Sequence, residues 1–163
     1  MSARETQGEQ KIVTFTLGGQ TFGIHMHALV EIREWEEPTP LPGVPAYIKG
    51  VTNLRGSVVP VVGLAERLGW EPSRLHARSC ILVCNIGGKH AGFLVDEVND
   101  IVVIADGAIQ PPPDVDTGED SMILGLIAIA ARGGDGTTER KPIMVSLLDL
   151  DALRLSRPVD LAA

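Results

Sequence analysis

Two histidines, His25 and His27, stand two residues apart, and two cysteines, Cys80 and Cys84, stand four apart. These are the residue types that ligate metals, and the cysteines are also the types that cross-link. On a strand, positions two apart point the same way, so the histidines could seed a metal site. No carboxylate or cysteine at ligand spacing accompanies them, and two exposed polar residues is the plainer reading. Cys80 to Cys84 reads as a strand, which separates the two thiols by roughly 13 Å on one face. A disulfide needs Cα atoms within about 7 Å, so the pair reads as two buried, unlinked thiols. Asp96, Glu97 and Asp100 offer clustered carboxylates, but no apolar surroundings that would raise a general acid's pKa. Gly133-Gly134-Asp135-Gly136 evokes a phosphate loop, yet no Gly-Lys-Ser/Thr follows, and a hairpin turn fits better. Ser57, Ser79, Ser121 and Ser146 lack the setting of a nucleophile elbow. No catalytic constellation, metal site or cofactor motif emerges.

The stretch from Gly43 to Val62 organises the rest. Pro45 suits a first helical position and Gly50 suits a helix stop, which predicts a single helical turn between them. Val51 to Leu54 then reads as a strand, Arg55-Gly56-Ser57 as a reversal, and Val58 to Val62 as the return. Pro60 cannot donate to a ladder, which marks an edge or bulged position. A charged Arg55 beside a glycine on a rigid apolar stem suits protein recognition; it suits a solvated turn equally well.

The 163 residues fit one domain, and at 44% hydrophobic they can bury a sizeable core. With aromatics at 4%, aliphatic side chains must build it. The net charge of 14 − 21 = −7 argues against nucleic acid and anionic membranes as partners. Met1 to Gln10 is polar, so a frayed tail and no signal peptide are expected. The longest apolar run, Met122 to Ala131, is about half the ~20 residues of a spanning helix, so no membrane insertion is expected.

Along the chain, strands are predicted over 11–17, 20–26, 29–34, 51–54, 58–62, 80–86, 90–96, 98–104, 122–130 and 142–148. Gly18-Gly19 and Gly87-Gly88 read as hairpin turns. A short helix is expected at Leu64–Leu68, ended by Gly69, and another at Asp149–Leu155 with Asp149 as its cap. Four prolines between 35 and 45 make a stiff connection, and Glu71 to Ser79 reads as a linker. This grammar predicts an all-β protein built as paired small barrels.

Val51-Thr52-Asn53-Leu54-Arg55-Gly56 with Val58-Val59-Pro60-Val61-Val62 resembles the signature of the CheW family of bacterial chemotaxis coupling proteins. Tyr47-Ile48-Lys49-Gly50, Phe22-Gly23-Ile24, Val30-Glu31-Ile32, Leu41-Pro42-Gly43-Val44-Pro45 and Gly92-Phe93-Leu94-Val95-Asp96-Glu97-Val98 are similar to further family segments, in the family's order. Ile109-Gln110-Pro111-Pro112-Pro113 and Leu147 to Leu153 complete a match running from about Ile12 to Leu155. Two departures stand out. Gly63-Leu64-Ala65 replaces the family's Asp-Leu-Arg, and the hairpin at 132–141 is longer than the family's tight turn.

The resemblance implies two intertwined, five-stranded SH3-like β-barrels, with no active site and no cofactor. It implies one domain over 11–158, flanked by tails at 1–10 and 159–163. The first barrel would centre on 12–70 and the second on 80–130, with 142–155 closing the fold. Its partners would be the regulatory domain of a chemotaxis histidine kinase of the CheA type and the cytoplasmic tip of methyl-accepting chemoreceptors. The receptor tip would bind near the groove between barrels, with the protein cytoplasmic and recruited to receptor arrays. Leu29, Glu31, Asn53, Leu54, Arg55, Gly56 and Val58 would form the partner surface, and Glu31 would lie close enough to Arg55 to pair. The competing readings are an adaptor of a non-chemotaxis array, such as surface motility, and a small-molecule-binding barrel.

Overall fold

The computed structural model describes residues 9–111, 122–129 and 142–153. Ten strands run in chain order: β1 (Glu9–Leu17), β2 (Gln20–His25), β3 (Leu29–Glu34), β4 (Ile48–Leu54), β5 (Ser57–Gly63), β6 (Cys80–Ile86), β7 (Lys89–Val95), β8 (Glu97–Ala105), β9 (Ile123–Ile129) and β10 (Ile143–Leu148). A four-residue helix, α1 (Leu64–Arg67), follows β5, and 3-10 turns occupy Met26–Ala28, Asp106–Ala108 and Leu150–Leu153. The protein is all-β, in two five-stranded sheets. The terminal sheet has the order β8-β1-β2-β10-β9 and the central sheet β3-β6-β7-β5-β4.

The sheets do not divide the chain at the linker, as segments 12–70 and 80–130 had suggested. β1 and β2 leave the first half to pair with β8 and β10, while β3 crosses to pair with β6. The reason lies in which faces need cover. β6 is buried along Cys80–Cys84 on both faces, so it needs apolar partners front and back. Its Cys80, Leu82 and Cys84 face a core shared with Val13, Phe15 and Leu17 of β1. Its Ile81 and Val83 face a second cluster with Leu54, Val59 and Val61, inside the curl of the central sheet. β1 does the same in mirror: its Ile12 joins Ile104, Ile127, Val145 and Leu147 inside the terminal sheet. Each sheet thus wraps a small core, and one large core joins the two.

In each sheet, the segment that leaves one edge strand bridges to the opposite edge strand. Thr39, just beyond β3, exchanges two backbone hydrogen bonds of 2.9 and 2.8 Å with Val51 of β4. Gln110, beyond β8, does likewise with Leu126 of β9 at 2.9 and 2.8 Å. Gly50 belongs to this device. It does not stop a helix; Pro45 to Ile48 is a single turn, closed by a 2.9 Å bond from the Ile48 N–H to the Pro45 carbonyl. Gly50 lies in β4 beside a bulge, at φ 146°, where a Cβ would collide with the backbone of Thr39. Only glycine lets the two backbones approach that closely.

Other boundaries shift slightly. β1 starts at Glu9, which pairs with Ala105, so the strand takes in two residues expected in the tail. The C-terminal helix is a 3-10 turn, and Asp149 caps it by accepting a 3.0 Å hydrogen bond from the Asp151 N–H. The Gly133-Gly134-Asp135-Gly136 segment, the long 132–141 hairpin, Ser121 and both predicted tails beyond residues 9–153 lie outside the described residues.

Candidate functional site

The β4–β5 hairpin reverses through two residues, with Leu54 paired to Ser57. Arg55 sits at φ 52° and Gly56 at φ 90°, the positive angles of a type I′ turn whose twist matches that of the strands. Arg55 is the only non-glycine residue at positive φ among the described residues. A stem this firm makes that conformation tolerable. The Asn53 Oδ1 accepts the Gly56 N–H at 3.0 Å, and Leu54 is buried against Val59, Val61, Ile81 and Val83. Pro60 falls where β5 is paired to β4, just before the partners in β7 begin at Val61, so its missing N–H costs no ladder bond there.

The expected pairing is present. The Arg55 Nη2 donates to the Glu31 Oε1 at 3.2 Å, with the arginine side chain 75% exposed and the glutamate 20%. The two residues come from opposite edges of the central sheet, so their contact is a product of its roll. A residue that sequence reasoning missed completes the group: Arg33 Nη1 lies 3.9 Å from the Glu31 Oε2 and its Nη2 lies 4.0 Å from the Glu36 Oε1. Arg33 stands two residues from Glu31 on β3, and that period of two was the available signal.

The seven expected partner residues therefore separate into two kinds. Glu31, Asn53, Arg55, Gly56 and Val58 gather at the tip, with Val58 68% exposed. Leu54 is 6% exposed, so it anchors the tip from inside and presents no surface. Leu29 is half-buried against the shared core at the start of β3.

The other candidates resolve into structure. His25 ends β2 and His27 lies in the following 3-10 turn, their rings stacked at 5.2 Å. Burial pulls His25 below its usual range, and a charge on His27 lowers it further. Asp149 and Asp151 line the same cavity of about 300 Å³, yet no group of three or more His, Cys, Asp or Glu residues could hold a metal among the described residues. Cys80 and Cys84 are free and buried. Burial pushes both thiols up, that of Cys84 to about 12. The Asp96 Oδ2 accepts the Gly18 N–H at 2.9 Å, tying the β1–β2 turn to the β7–β8 corner, and Glu97 pairs with Arg78 at 2.8 Å. The Ser79 Oγ accepts the His76 backbone N–H at 2.9 Å, while the ring's Nδ1 accepts the Arg78 N–H at 3.1 Å. That ring is therefore not turned to activate the hydroxyl.

The departure at Gly63 also has a physical account. The Glu66 carboxylate occupies the space a Cβ at Gly63 would need, and it pairs there with the Lys49 Nζ at 2.7 Å. An acid and base beside the hairpin are thus supplied by Glu66 and Lys49.

Two rolled sheets on a shared core, with a preformed charged tip, define a binding module. A family model described as a CheW-like domain matches residues 11–156. Among curated relatives, the probable chemotaxis protein CheW of Rhizobium etli is 38% identical over 148 residues, covering 90% of this chain and 88% of that protein. The chemotaxis protein CheW of Rhizobium meliloti is 37% identical over 149 residues, covering 91% and 89%. The crystal structure of the scaffolding protein TtCheW from Thermoanaerobacter tengcongensis superposes with a TM-score of 0.74 at 29% identity, over 88% of this chain and 91% of that one. The chain belongs to the CheW family, whose members are non-catalytic scaffold and adaptor proteins.

Proposed function

We propose that this protein couples the cytoplasmic tips of methyl-accepting chemoreceptors to the regulatory domain of a CheA-type histidine kinase. The observation that carries the reading is the tip itself. An exposed arginine is held at positive φ by a buried stem and joined across the roll of the sheet to Glu31. A strained, preformed surface of this sort costs little to order when a partner arrives. Glu31, Asn53, Arg55, Gly56 and Val58 form that surface, Leu54 holds it in place, and Leu29, two residues before Glu31 on β3, extends it. No helix among the described residues is long and apolar enough to cross a membrane, which fits a protein brought to the membrane by its receptors.

Calorimetric titration of the purified chain against a receptor signalling tip and a kinase regulatory domain tests the proposal. Binding to both is expected. Failure to bind either, with a metabolite or nucleotide bound instead, would overturn it. Capture from the native cell, followed by identification of the receptors and kinase, separates a chemotaxis array from a motility array.

A further inference from the structure

β3 is an edge strand, hydrogen-bonded to β6 on one side only. Along it lies a cleft of about 430 Å³ lined by Glu31, Ile32, Arg33, Glu34, Trp35 and Glu36. Its apolar part is open to solvent. Ile32 is 46% exposed, its neighbour Val30 is 41% exposed, and Trp35 rests its inner side on the cluster beneath the tip. Its charge is unbalanced. Three carboxylates line it against one guanidinium, and that Arg33 is already shared between Glu31 and Glu36. Arg55 is likewise committed to Glu31. Glu34 in the cleft and Glu37 just beyond it are exposed and have no ion pair among the described residues.

We propose that this cleft receives a partner segment in which lysine or arginine stands next to bulky aliphatic side chains, the aliphatic groups covering Ile32 and Trp35 and the basic group meeting Glu34 and Glu37. This deepens the adaptor reading and rests on it for the identity of the partner, though not for the chemistry of the cleft. Charge complementarity selects the occupant. An acidic segment meets like charge, and a second copy of this chain, at a net −7, is repelled as a whole. Apolar contact alone would leave Glu34 facing the partner without a counter-ion, whereas a basic neighbour removes that penalty.

The test uses the full chain and two fluorescent peptides of equal length, one of alternating lysine and leucine and the other of alternating glutamate and leucine. Anisotropy is read at several salt concentrations, for the wild type and for the double variant Glu34→Gln, Glu37→Gln. Both positions are exposed, so the variant keeps the fold, and circular dichroism checks that it does. The wild type is expected to bind the lysine peptide and not the glutamate peptide, more weakly as salt rises. The variant should bind it roughly threefold to tenfold more weakly, the scale set by two exposed charge contacts. Equal binding of the two peptides, or an unchanged affinity in the variant, would overturn the proposal, the latter placing the contact elsewhere on an acidic protein. Receptor tip and kinase domain are titrated in parallel. If wild type and variant bind them equally, the cleft is not the site and the adaptor reading stands. If the wild type binds neither, the adaptor reading falls and the peptide result still decides the cleft.

Discussion

The two sheets are one arrangement built twice. β3-β6-β7-β5-β4 matches β8-β1-β2-β10-β9 strand for strand: antiparallel, antiparallel, parallel, antiparallel. The registers agree as well. Val51 opposes Pro60 as Leu126 opposes Ser146, and Glu31 opposes Val83 as Asp100 opposes Thr14. Gly50 lets Thr39 close one roll, and Gly125 lets Gln110 close the other. The surfaces differ where the architecture does not. Ile32 and Val58 of the central sheet correspond to Ile101 and Met144 of the terminal sheet, exposed and apolar in both, whereas Arg33 and Glu34 correspond to Val102 and Val103. One copy therefore carries its charged group at the edge and the other carries hydrocarbon. Backbone closure is the shared requirement, and edge chemistry is what each copy was free to vary.

The largest effects should come from the shared requirement. Gly50→Ala adds a Cβ into the Thr39 backbone and forces alanine to a positive φ, whereas Gly125→Ala meets the Gln110 carbonyl, at 2.7 Å, without the unfavourable angle. Overpacking and an unfavourable angle each cost about 1–3 kcal/mol, so Gly50→Ala should lose roughly 2–5 kcal/mol and Gly125→Ala roughly 1–3. Urea unfolding of both variants checks the order. A larger loss at Gly125 would mean that the two closures are not equivalent.

The repeat was partly legible in the chain. Gly18-Gly19 and Gly87-Gly88, each followed four residues later by another glycine, gave away the two hairpins because positive φ is a local demand. The assignment of strands to sheets was not legible, because β6 and β1 are apolar on both faces and period alone cannot say which face meets which partner. Gly50 was misread for a related reason. A proline, a short run and a glycine is the signature of a helix end, and the competing cause, the backbone of Thr39, is distant until the sheet rolls. The Glu31–Arg55 pair was reachable through the family resemblance. Arg33 was overlooked although its spacing of two from Glu31 puts both on one face of β3; that spacing does not say whether the side chain reaches Glu31 or solvent.

A middle-sized effect separates the two cysteines within the shared core. Cys84 is 0% exposed and Cys80 is 9%. Replacing Cys84 by serine should cost about 1–3 kcal/mol through an ill-paired hydroxyl, with Cys80→Ser nearer the lower end. Neither should alter partner affinity in the folded fraction. The thiol of Cys84 also sets a pH dependence. Its pKa is raised in the fold from 9.0 to about 12, so above pH 9 the unfolded chain binds fewer protons than the native one. Stability should therefore be complete below pH 9 and decline between 9 and 12, by at most about 1.4 kcal/mol per unit. Cys84→Ala should flatten that decline. An unchanged slope in denaturation midpoints from pH 8 to 10.5 would show that the thiol is solvated.

The smallest effect on stability should come from the feature the two sheets do not share. Arg55 is 75% exposed, and an exposed pair contributes about 0–1 kcal/mol, so Arg55→Glu should barely move the melting temperature. Coupling should nonetheless suffer, because the reversed charge faces Glu31 and any partner selected for a cation. The double swap, Glu31→Arg with Arg55→Glu, distinguishes two roles. If the pair orients the tip, the swap should restore part of the binding. The recovery stays partial because Arg33, which lies 3.9 Å from Glu31, would then meet a second arginine. Adding Arg33→Gln to the swap should raise the recovery further. If each residue instead touches the receptor directly, the swap restores nothing and the double-mutant cycle gives additive costs. Titration of receptor tip and kinase domain with wild type, Arg55→Glu, Glu31→Arg, the double swap and the triple variant reads the result. Normal binding by a folded Arg55→Glu variant would take the tip out of the partner surface and leave its strained arginine without a function.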